Sequence, residues 1–75
     1  MIRYRVVVTW SDGCQDVEVG TASDLQVARR DVALAMAEVH AIARVSGGTI
    51  RTVKTFYYEN FVSGTTCLET ANSGN

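Results

Sequence analysis

The sequence predicts an α+β fold: β-β-α-β-β, an antiparallel sheet in the order 2-1-3-4 with one long helix packed on one face. Three observations carry this. Residues 23–45 hold a sustained helical periodicity. Asp12-Gly13 lies between two alternating segments, the pattern of a hairpin. A β-branched and aromatic stretch, residues 49–62, follows the helix.

Residues 2–10 alternate as a strand does, with Ile2, Tyr4, Val6, Val8 and Trp10 on one face and Arg3, Arg5, Val7 and Thr9 on the other. A two-residue type I′ turn at Asp12-Gly13 would set Ser11 opposite Cys14, Val8 opposite Val17 and Val6 opposite Val19. Both valine pairs then share the face of Tyr4 and Trp10. The other face of the hairpin would carry Arg3 and Arg5 on one strand and Asp16 and Glu18 on the other. The return strand is expected at 14–19, and Gly20-Thr21-Ala22 as a connection.

The helix is predicted over 23–45. Ser23 is an N-cap candidate with Gln26 three residues on, and Asp24 suits the positive end of the helix dipole. Arg44 lies in the last turn and Gly47-Gly48 follows, as a left-handed C-cap requires. Leu25, Ala28, Val32, Ala35, Met36, Val39, Ile42 and Ala43 form the core stripe. Arg29, Arg30, His40 and Arg44 lie on one flank, Asp31 and Glu38 on the other. Val27, Leu34 and Ala41 fall outside the stripe and suggest a second, self-associating surface.

The third strand is ambiguous. Ile50, Thr52, Lys54, Phe56 and Tyr58 make one set, and Arg51, Val53, Thr55 and Tyr57 the other; each holds apolar groups and a cation. A bulge near Thr55 would resolve the conflict. Residues 60–64 read as a turn and 65–70 as a last strand. The domain therefore spans 1–70, with a disordered tail at 71–75. The helix returns the chain along the sheet, so the third strand pairs antiparallel beside the first.

At 75 residues and net charge −1, the chain has a modest core that association would help to stabilise. No apolar run is long enough for a membrane span, and the opening segment reads as a strand rather than a signal peptide. A cytoplasmic location is the expectation. Near-neutral charge disfavours phosphate-driven nucleic-acid binding. Cys14 and Cys67 read as free reduced thiols or as one bridge. His40 has no Cys, Asp or Glu at i±4, and the carboxylates are scattered. No catalytic residue, metal ligand or cofactor is therefore expected. Arg3, Arg5, Arg51 and Lys54, with Tyr57 or Tyr58, offer a basic, aromatic face suited to single strands. The competing reading pairs those arginines with Asp16 and Glu18.

The segments R-Y-R-V-V-V, Q-D-V-E-V, T-A-S-D-L-Q-V-A-R-R and T-I-R-T-V-K give a layout that resembles small phage-encoded anti-CRISPR proteins. This is a likeness of layout, since none of the segments is a specific motif. The resemblance implies a non-enzymatic inhibitor that binds a bacterial defence complex and blocks its DNA binding, with Arg3, Arg5, Arg51, Lys54 and Tyr57 as the available contacts. The chain departs from the strongly acidic composition of a DNA mimic. The expectation is a non-enzymatic protein-binding module, with a weak single-stranded nucleic-acid binder or a small homo-oligomerisation module as alternatives.

Overall fold

Alternation over the first residues produces β1 (Ile2–Trp10), and the hairpin returns as β2 (Gln15–Ala22). The helix α1 (Leu25–Ser46) leads into β3 (Ile50–Phe61) and β4 (Gly64–Gly74). All strand pairs are antiparallel, in the order β2-β1-β3-β4, so the predicted architecture is the one observed. This computed structural model describes residues 1–61 and 64–74. Val62 and Ser63, expected in the last turn, and Asn75, expected in the tail, lie outside the described residues.

The hairpin differs from the sequence expectation by one residue. Trp10 N–H donates to the Cys14 carbonyl at 2.8 Å, and Gly13 N–H to the Trp10 carbonyl at 3.0 Å. The loop is therefore Ser11-Asp12-Gly13, three residues. Gly13 is left-handed at φ 91° and no non-glycine residue has positive φ, which excludes a type I′ turn at Asp12-Gly13 and fits the three-residue bulged loop. Asp12 Oδ1 accepts from Cys14 N–H at 2.9 Å and holds the loop. As a result Val6 faces Glu18, Val7 faces Val17 and Arg5 faces Val19. Val17 and Val19 stand on the face away from the helix, 53% and 70% exposed. Asp16 and Glu18 stand on the helix side, where Asp16 Oδ2 accepts from the Trp10 indole N–H at 2.8 Å.

On β3 the helix-facing set is Val53, Thr55 and Tyr57, all buried. The face switch lies at Arg51, between the pairs Thr9–Thr52 and Trp10–Ile50, rather than near Thr55. Ile50 thereby joins the core side. A second irregularity in β4 lies between Tyr57–Glu69 and Tyr58–Cys67. β4 extends to Gly74, pairing residues 71–74 with Thr52–Thr55, where the sequence suggests a tail. The long β3 supplies an edge whose main-chain groups pair with those of 71–74.

The helix begins one residue later than expected. Asp24, not Ser23, is the N-cap, and its Oδ1 accepts from Val27 N–H at 2.9 Å. This satisfies one of the orphan donors of the first turn. Gly47 closes the other end in the left-handed region at φ 74°. Ala28, Val32 and Ala35 are the buried helix residues. Of these, Ala28 and Val32 join Ile2, Val6, Val8, Ala22, Val53 and Tyr57 of the sheet in one core cluster. Ile42, placed in the core stripe by periodicity, is instead 58% exposed. It borders an open groove of about 410 Å³ between α1 and β2, lined by Val8, Trp10, Asp16, Glu18, Val39 and Ile42.

Val6 is 1% exposed, so removing two methyl groups by Val6→Ala is expected to cost about 2 kcal/mol. Val19→Ala should stay within about 0.5 kcal/mol. Denaturant midpoints compare the two variants, and equal losses would contradict the observed register.

Candidate binding face of the sheet

The helix covers one side of the sheet and leaves the other open. β1 contributes Arg3, Arg5, Val7 and Thr9 to the open side. Pairing sets Tyr58 beside Arg3, Phe56 beside Arg5 and Lys54 beside Val7. On the outer strand Thr21 lies beside Arg3, Val19 beside Arg5 and Val17 beside Val7. The rows therefore alternate cation, aromatic and β-branched side chains across the strands. The Phe56 and Tyr58 rings stack with centroids 6.3 Å apart and planes 15° from parallel. A shallow depression of about 390 Å³ opens among Arg3, Arg5, Val19, Thr21 and Tyr58.

The carboxylates are segregated. Asp16, Glu18, Glu59 and Glu69 occupy strand positions on the helix side of the sheet. Asp12 is in the hairpin loop, Asp24 caps the helix, and Asp31 and Glu38 are on it. Thus none of the eight carboxylates of the chain occupies an open-face strand position, while Arg3, Arg5 and Lys54 do. The expected pairing of Arg3 and Arg5 with Asp16 and Glu18 is absent because the one-residue register change puts those groups on opposite faces. Among the described residues the ion pair present is Arg29–Glu69, on the helix side.

Of the residues singled out from the sequence, the structure brings together Arg3, Arg5 and Lys54. Arg51 is exposed but lies at the β3 irregularity, outside the alternating rows. Tyr57 is 5% exposed and belongs to the core, so it is not a surface contact. Its hydroxyl is raised above the ordinary tyrosine value by burial and by Glu69. Phe56, Val17 and Val19 were missed by sequence reading; their position follows from the Arg51 irregularity and the three-residue loop. The expected self-association line also breaks up. Val27 packs against the core, Ala41 is half-buried, and Leu34 is exposed.

Cys14 and Cys67 are both exposed and are not bridged to each other. Cys14 faces Trp10 at one end of β1, and Cys67 faces Tyr58, level with Arg3 at the other. Seven residues of strand, about 23 Å, separate those levels. Hydrogen bonding to Asp12 and then its charge raise the Cys14 thiol above its ordinary value, which keeps it protonated and a poor nucleophile. His40 is exposed on α1, and among the described residues no group of three or more His, Cys, Asp or Glu is placed to hold a metal. No helix is long and apolar enough to cross a membrane. No family model, curated protein or solved structure matches the chain.

Arg29 Nε donates to Glu69 Oε2 at 3.1 Å. This hydrogen bonding and the Arg29 charge hold the Glu69 carboxyl below the usual range. The pair therefore contributes stability above the unfolded carboxylate pKa of about 4.3 and loses it as pH falls through the lower folded value. Thermal melts should show wild type losing stability over that acid window more steeply than Glu69→Gln. The difference is small, as for exposed pairs generally, and identical slopes would count against the pair.

Proposed function

We propose that the protein is a non-enzymatic protein-binding module that occupies an acidic surface of its partner through the open sheet face. The observation that carries this is the cluster Arg3, Arg5 and Lys54, interleaved with Phe56, Tyr58 and valines and free of carboxylates on its strand positions. Arginine and aromatic side chains are favoured at protein interfaces, and a single-signed face steers encounter with the opposite charge.

A phage-type inhibitor of a bacterial defence complex is one instance of this function. A cationic face does not imitate DNA, so such an inhibitor would act by covering an acidic surface beside the DNA path and blocking it sterically. The second reading is a single-stranded nucleic-acid binder. It is favoured by the stacked Phe56–Tyr58 pair next to arginines on the central strands, the arrangement on which unpaired bases stack. The near-neutral net charge weighs less against it once the cations share one face.

Capture from bacterial lysate tests both readings. The unsubstituted chain and Leu34→Glu are expected to retain the same protein partner, and Arg3→Glu with Arg5→Glu to lose it. Retention by the double variant would put the interface elsewhere. Titration with labelled single strands decides the second reading. Neutralising three phosphates gives a log–log salt slope of roughly −2, and no binding at low salt would eliminate it.

A further inference from the structure

We propose that β2 is a self-pairing edge: two copies of the chain join antiparallel through it, about a two-fold axis at Val19. The result is one continuous eight-stranded sheet built from two four-stranded ones. This goes beyond the open-face reading and rests on a different surface.

The first observation is where the main-chain groups of β2 point. Trp10 N–H donates to the Cys14 carbonyl, so this pair is hydrogen-bonded, and bonding alternates by two along an antiparallel ladder. Asp16, Glu18, Gly20 and Ala22 are then bonded to β1. Gln15, Val17, Val19 and Thr21 turn their N–H and C=O groups to the free edge. Their side chains lie on the open face, and residues 15–19 are all exposed. An uncovered edge with valines on its outward-bonding residues is a template for strand addition.

The second observation is that charge selects the register. A two-fold pairing must set outward-bonding residues against each other. Centred on Val17, it opposes Asp16 to Glu18; centred on Glu18, it opposes Glu18 to itself. Both place like charges directly across the strands, which is destabilising. Centred on Gly20, it brings Val17 against Ser23, beyond the end of β2. Centred on Val19, it sets Val19 against itself, Val17 against Thr21, Asp16 against Ala22 and Glu18 against Gly20. Seven residues of each strand pair, and no like charges lie directly opposite each other.

The third observation is the surface opposite Glu18. Gly20 has no side chain, and Tyr4 fills the space: a Cβ on Gly20 would fall 2.2 Å from the Tyr4 hydroxyl oxygen. That hydroxyl lies over the edge strand. In the proposed register the Glu18 carboxylate of the second copy arrives beside Gly20, where the Tyr4 O–H can donate to it. The bond forms twice, once from each copy. Burial, followed by Asp31 and the chain's own Glu18, raises the Tyr4 hydroxyl above its ordinary value, so it is a donor at neutral pH. A two-fold axis normal to the sheet puts both helices on one side. It joins the two cationic faces on the other, doubling the surface offered to an acidic partner.

Site-directed cross-linking tests the register in the full chain, with both exposed thiols removed by Cys14→Ser and Cys67→Ser. Directly opposed residues of a bonded antiparallel pair have Cα atoms about 5.5 Å apart, within the disulfide range. Oxidation of Val19→Cys is therefore expected to give a covalent dimer, and oxidation of Val17→Cys to leave monomer. Light scattering on the unsubstituted chain should give the mass of two chains, and Tyr4→Phe should weaken association about tenfold or more. A monomer mass, cross-linking through Val17→Cys, or a dimer that neither cysteine links would each overturn the proposal. None of these outcomes bears on partner capture through Arg3 and Arg5, which is read separately.

Discussion

The left-handed Gly13 is the constraint on which the rest of the sheet depends. It makes the hairpin loop three residues long, and an odd loop length decides which face every side chain of β2 occupies. With that parity Asp16 reaches the Trp10 indole, Gly20 passes under Tyr4, and Ala22 enters the core. The cost is that Val17 and Val19 stand in solvent. The core that remains is small, with valines and alanines doing most of the packing, and it is concentrated where the first half of α1 crosses β1 and β3.

The same parity separates the charges. A chain that is nearly neutral overall carries its strand carboxylates on the helix side of its sheet and three of its seven cations on the other. Net charge is an average over the surface and sets little about a face; the field a partner meets is local, because screening confines it to about 8 Å in physiological salt. A binding function is therefore compatible with a composition that, read as a total, argues for no strong electrostatic preference.

The element order, the strand order and the helix were legible in the sequence, since each rests on periodicity over many residues. The C-terminal cap at Gly47 was legible too, because few residues tolerate that backbone region. What was not legible turned on single residues. Asp12-Gly13 suits both a two-residue and a three-residue loop, and pairing valines with valines favoured the wrong one. Ser23 and Asp24 are both capping residues, and only the chain path chooses between them. The face of β3 depended on an irregularity at Arg51, a residue with no bulge signature of its own. Of the binding face, Arg3, Arg5 and Lys54 could be named in advance. Phe56 and the two valines could not, because their position follows from those two local choices, and Tyr57 went to the core for the same reason.

Trp10 stands where three parts of the chain meet. Its indole N–H is held by Asp16 of β2, its ring edge lies against Gly48 after the helix, and its backbone closes the hairpin loop. It is also the only tryptophan in the chain. The protein thus carries one intrinsic fluorophore, placed at the joint between hairpin and helix end rather than in the centre of the core. Indole emission responds to the polarity around the ring, so loosening of the helix end can be followed optically without any added label.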